Sequence, residues 1–208
     1  GIGGTGTGRL RECQGGFRQG NLYDPKNYDR LIEIYEALAD YGYREVGQEY
    51  LQNVLNTDKK LDAYDSGRIY YYLGDYQKAY LALEEAKGKG GVDSYLYLGK
   101  AYAATGDYNY ASSVYSNYLS KQGPDAEIYN QLGLCELAKK DYQKALEAFQ
   151  AGKQIEGNSL MQTLSFNEIV AYEYLQDYQK AAVLLKAYLQ NYPDDQAAIR
   201  EQQFLSTR

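Results

Sequence analysis

Apolar side chains recur along this chain at three- and four-residue steps, in short blocks broken by polar turns, which is the pattern of paired amphipathic helices. Leu31, Ile34, Tyr35 and Leu38 predict a helix over residues 28–41, entered just after Pro25 and stopped at Gly42. Val46, Tyr50, Leu51, Val54 and Leu55 predict the helix that follows. A second pair over residues 60–91 carries Ala63, Gly67 and Tyr70, turns at Gly74-Asp75, and returns through Ala79, Leu83 and Ala86. A third over 92–123 carries Tyr95, Leu98, Gly99 and Tyr102, then Ala111, Tyr115 and Tyr118. A fourth over 126–157 carries Tyr129, Leu132, Gly133, Ala145 and Phe149, with Asp125 placed to cap its first helix. The fifth, over 162–195, carries Tyr172, Ala181, Leu185 and Tyr188. A last helix from Gln196 to about Leu205 presents Ile199, Phe204 and Leu205 as its apolar side and would cover the open end of the stack.

The turns make the repetition explicit. Asp75-Tyr76-Gln77-Lys78-Ala79 returns unchanged as Asp141 to Ala145 and as Asp177 to Ala181, and more loosely as Asp107 to Ala111. Gly47 stands where the other units have this alanine, and Lys140 replaces the usual turn glycine in the fourth. A period of about 34 residues is the mark of a stacked helical array, in which each unit buries its apolar face on the next. The small residues have a packing purpose: Gly67 and Ala79 let two helices approach where a leucine would hold them apart.

Composition adjusts this picture in three ways. Among 208 residues there are 26 tyrosines, 4 phenylalanines and no tryptophan, so the aromatic share of the core is carried by rings that keep a hydroxyl at the edge. The formal net charge of -6 and the lack of an arginine-rich stripe argue against a nucleic-acid partner. No histidine is present, which removes the usual serine or cysteine triad, and the two cysteines, Cys13 and Cys135, cannot build a structural zinc site. Cys135 falls among apolar residues as a small hydrophobe. No catalytic residue, cofactor site or metal site emerges, and no apolar run is long enough to span a membrane. Residues 1–22 are glycine-rich and are expected to be flexible; they lack the lysine and hydroxyl residue of a phosphate-binding loop.

This order of residues resembles the tetratricopeptide repeat (TPR) family. Tyr95, Leu98, Gly99, Tyr102, Ala111 and Tyr115 match the family pattern, as do Tyr129, Leu132, Gly133, Ala145 and Phe149, while Ser66, Glu136, Glu168 and Ile169 depart from it. The resemblance implies an all-α superhelix of about five helix-turn-helix repeats, residues 23–195, closed by a capping helix, residues 196–208. It also implies a concave groove lined by the first helices. Carried over by register, that groove comprises Tyr64, Arg68, Tyr71 and Tyr72, then Leu96, Lys100 and Ala103, then Asn130, Leu134 and Leu137, and lastly Phe166, Val170, Glu173 and Tyr174. Arg68 and Lys100 take equivalent places in successive repeats and are candidates to hold a carboxylate of an extended peptide. The function so implied is a non-catalytic scaffold for a protein or extended peptide. The alternative is a structural or self-associating module of a larger envelope complex. Family members occur in the bacterial cytoplasm and as secreted lipoproteins, so either compartment is open, the second through a removed N-terminal signal.

Overall fold

The computed structural model describes residues 27–208. The glycine-rich segment and Cys13 lie outside the described residues. The helices are α1 (Tyr28–Asp40), α2 (Arg44–Thr57), α3 (Ala63–Tyr72), α4 (Tyr76–Glu85), α5 (Val92–Ala104) and α6 (Tyr108–Gln122). They continue with α7 (Ala126–Ala138), α8 (Tyr142–Lys153), α9 (Met161–Tyr174), α10 (Tyr178–Asn191) and α11 (Gln196–Leu205). No strand occurs among the described residues. The chain divides into two compact units at Gly90 and Gly91, the first containing α1–α4 and the second α5–α11.

The recurring aspartate shapes each turn twice over. After α3, Gly74 adopts φ +79° and donates its N–H to Tyr71 O at 3.0 Å, while Asp75 donates its N–H to Tyr70 O at 3.0 Å. That pair of bonds is a Schellman closure, and it satisfies two carbonyls the helix would otherwise leave open. The Asp75 carboxylate then accepts the Lys78 N–H at 3.4 Å and caps α4. Asp107, Asp141 and Asp177 repeat both roles, accepting the N–H groups of Tyr110, Lys144 and Lys180. Such a cap stabilises its helix by about 1 kcal/mol. Two turns reach the left-handed conformation without glycine: Lys140 has φ +63° and Gln176 φ +62°. In the first pair Tyr43 takes the aspartate's place, and α2 begins without a side-chain cap.

Core packing explains the small residues and their one exchange. A Cβ added at Gly99 would lie 2.2 Å from Tyr115 Cζ; one at Gly133 would lie 2.3 Å from Phe149 Cε1, and one at Gly67 2.6 Å from Leu83 Cγ. In these three pairs a glycine on the first helix receives a large side chain from the second. The first pair reverses the arrangement. Tyr35 occupies the glycine's register on α1, and Gly47 on α2 gives way, its absent Cβ 2.7 Å from Tyr35 Cδ2. Gly47 is therefore the complement of Tyr35, twelve residues earlier, and not simply a weakened copy of the alanine. The fifth pair takes a third solution, with Ile169, Ala181 and Leu185 all buried.

The last helix packs on the fifth pair, but in a different rotation from the one its sequence suggests. Ala198 and Leu205 join the core, while Phe204 remains 39% exposed beneath the Arg208 guanidinium at 4.6 Å. Asp195 fixes this register: it caps α11 through the N–H groups of Ala197 and Ala198 and accepts the Tyr188 hydroxyl at 2.5 Å.

Candidate functional site

In the first unit, α3 carries the expected groove residues, and Arg68 corrects the expectation. Only 6% of it is exposed. Its guanidinium pairs with Asp29 on α1 and with Asp65 one turn earlier, and it lies over the Tyr64 ring at 4.3 Å. Burial alone would discourage the charge, but the two carboxylates outweigh it and hold Arg68 protonated. This cation locks α1 to α3 and is not available to a ligand. Tyr64 is likewise half-buried, its ring filling the space left by Gly90, where a Cβ would sit 2.5 Å from Cε2.

Tyr71 and Tyr72 remain candidates, and the structure gives them company. Tyr72 donates its hydroxyl to Glu36 at 2.7 Å, and its carbonyl accepts the Tyr35 hydroxyl and the Gln48 amide, each at 3.2 Å. Ring centroids are 5.1 Å apart for Tyr35 and Tyr72, 5.3 Å for Tyr71 and Tyr72, and 5.8 Å for Tyr71 and Tyr76. Together with Asp40 and Arg44 they line a cleft of about 280 Å³. Sequence reasoning missed Glu36, Asp40, Arg44 and Gln48. A signal existed for one of them, since Arg44 stands in the register that tyrosine fills in every later turn, at 76, 108, 142 and 178.

In the second unit, polar contacts join the first helices in sequence. Lys100 on α5 approaches Glu127 on α7 at 3.9 Å, and Asn167 on α9 donates to the Asn130 amide oxygen on α7 at 2.8 Å. Glu127, Asn130 and Leu134 are spaced to share one face of α7. Leu134 stands 40% exposed there, and Tyr174, at the end of α9, is 55% exposed and stacked on Tyr142 at 4.8 Å. Leu96 is a second correction: it is buried with Ala111, Tyr115 and Ile128, so it belongs to the core. Phe166 packs against Tyr188, with centroids 5.7 Å apart, and Leu137 also leans on the core. Ala103 and Val170 are half-buried. Glu173 is turned toward Glu201 on α11; burial first, and then that second carboxylate, raise its pKa to about 7.

The remaining chemistry is that of a packed interior. Cys135 is a free, buried thiol, and burial pushes its pKa up to about 12, so the thiolate nucleophile is suppressed. Buried Glu168 accepts from Gln150 at 3.0 Å and from Lys153 at 2.6 Å, an arrangement that ties α8 to α9. Among the described residues no cluster of potential metal ligands occurs, and no helix is long and apolar enough to cross a membrane.

Models of the tetratricopeptide repeat match residues 96–159 and 166–195. No curated protein matches the sequence. Among solved structures, a thermophilic TPR protein of Thermus thermophilus aligns over 87% of this chain and 100% of its own, with 15% identity and a TM-score of 0.66. YrrB, described as a TPR protein with an unusual peptide-binding site, aligns over 90% of this chain and 97% of its own, with 19% identity and a TM-score of 0.58. A repeat protein of Parabacteroides merdae aligns over 86% of this chain and 72% of its own, with 17% identity and a TM-score of 0.61. At these identities the likeness is one of fold. With the successive helix-turn-helix packing it shows the fold of a tetratricopeptide repeat array, and the repeat models place tetratricopeptide repeats within residues 96–159 and 166–195 of this chain.

Proposed function

We propose that this chain is a non-catalytic scaffold that binds an extended segment of a partner protein along the first-helix face of α5, α7 and α9. One observation carries the proposal: the large apolar side chains of Leu134 and Tyr174 stand 40% and 55% exposed on α7 and α9, the helices joined by the Asn130–Asn167 bond. An extended segment needs apolar contacts for its side chains, which Leu134 and Tyr174 offer. Asn130, expected in the groove, is only 5% exposed and bonded to Asn167, so it ties α7 to α9 and is not offered to a ligand. The absence of histidine from the sequence and the burial of Cys135 support a role without catalysis.

The test is retention of the native partner by the folded chain and by a Leu134→Ser, Tyr174→Ser variant. Retention should fall at least about tenfold, as expected when exposed anchors at an interface centre are lost. Val183→Ser, at a residue 62% exposed on the second helix α10, should leave it unchanged. Equal retention by all three chains would rule this face out. Capture of the chain's own copies alone, confirmed by sedimentation, would favour a self-assembling module.

A further inference from the structure

The cleft in the first unit has the composition of a receptor for a guanidinium group. Its volume, about 280 Å³, falls just below the range of roughly 300–1,000 Å³ for small-molecule sites, and suits one inserted side chain better than a cofactor. One wall is aromatic, formed by Tyr71, Tyr72 and Tyr76. The other is acidic: Glu36 and Asp40 are one turn apart on α1, share a face and are exposed. Glu36 accepts the Tyr72 hydroxyl, which fixes a carboxylate beside the ring wall, and among the described residues Asp40 is in no ion pair. One cation, Arg44, already lines the cleft with Tyr35, leaving two carboxylates against a single positive charge.

We infer that this cleft takes an arginine side chain of a bound partner. A planar guanidinium stacks on a tyrosine face and offers paired donors to a carboxylate, and no other protein side chain meets both walls at once. Lysine would satisfy the acidic wall as a point charge and gain less from the rings. The inference concerns a different unit from the face of α5, α7 and α9, and its test needs no native partner, so either reading can fail alone.

The full chain, isotope-labelled, is titrated with blocked tripeptides Gly-X-Gly in which X is arginine, lysine or citrulline, the last a neutral isostere of arginine. The arginine peptide should shift the ring signals of Tyr71, Tyr72 and Tyr76, with a dissociation constant in the millimolar range expected for a single side chain. Citrulline should bind at least about tenfold more weakly, and rising salt should weaken the arginine peptide. The Glu36→Gln, Asp40→Asn double variant should lose about fivefold or more in affinity while its tyrosine signals stay dispersed. Equal binding of citrulline, indifference to the double variant, or shifts confined to other residues would overturn the assignment. So would movement of the same ring signals when Arg9, Arg11 and Arg18 are replaced by glutamine without peptide, since the chain's own arginines would then fill the cleft.

Discussion

Gly99→Ala adds one methyl group where the structure has no room for it. The new Cβ would lie 2.2, 2.4 and 2.5 Å from Cζ, Cε1 and Oη of Tyr115, a side chain with no exposed surface. Carbon atoms pack at about 3.5–4.0 Å, so the ring must retreat by more than about 1 Å. It is held on its far side by the core and at its tip by the Leu96 carbonyl, which accepts its hydroxyl at 3.4 Å. Overpacking a core in this way costs about 1–3 kcal/mol, and a blocked aromatic ring belongs at the upper end. Alanine recovers about 1 kcal/mol through its better helix propensity, leaving a net loss of about 2 kcal/mol. Urea denaturation followed by helical circular dichroism would show this as a lowered midpoint with little change in slope. A second variant makes the cause specific. Tyr115→Leu alone should cost about 2–4 kcal/mol through the cavity it opens. Combined with Gly99→Ala it should cost less than the sum by about 1–2 kcal/mol, because the methyl group enters that cavity. A Gly99→Ala chain more stable than the parent would refute the reasoning, as would strict additivity in the double variant.

The other predictions concern the turns, the buried cation and the carboxylate pair. Lys140→Gly and Gln176→Gly each relieve a left-handed residue and should stabilise the chain by about 0.5–1 kcal/mol once the extra freedom of the unfolded glycine is counted, seen as a raised Tm. Arg68→Ala removes a buried cation and leaves half-buried Asp65 without its partner, which should cost about 3 kcal/mol, whereas Lys100→Ala removes a longer, partly exposed pair and should cost under about 0.5 kcal/mol, both read by denaturation. Glu173 has a pKa of about 7 in the folded chain against an ordinary glutamate unfolded, so the native state holds the extra proton between those values and stability falls as pH rises from about 4.5 to about 7. Because the site is partly solvated, this amounts to about 1 kcal/mol, and Glu173→Gln should remove it from the difference in Tm between pH 5 and pH 8.

Much of this architecture is legible in the residue order, because local chemistry and packing repeat together. The Asp-Tyr-Gln-Lys-Ala block names its own turn: the aspartate closes one helix and caps the next, and the alanine behind it meets the first helix. Register alone then places most helices, since any slip would expose a face that Leu98, Ile128 or Leu164 buries completely. What register could not supply was the partner of each polar side chain. Arg68 falls at a groove position by count, but whether it faces solvent depends on Asp29, thirty-nine residues away on another helix. Leu96 likewise reads as lining until the helices are packed and it lies against Ile128. The rotation of α11 was obscured because Ile199 and Phe204 look more apolar than Ala198, while the cap at Asp195 decides which side turns inward. The cleft of the first unit was hidden for a simpler reason: Glu36, Asp40 and Arg44 resemble an ordinary wetted face until Tyr71, Tyr72 and Tyr76 stand opposite them.

The point at which a partner touches the second unit tests the proposed scaffold most directly. A photo-crosslinking residue placed singly at 134, 174 and 183 in the full chain, activated in its native cells, reports that contact whatever the partner's identity. The proposed scaffold predicts crosslinks to one common polypeptide from 134 and 174 and none from 183. Crosslinks from 183 alone, with 134 and 174 silent, would contradict it and move the interaction to the second helices.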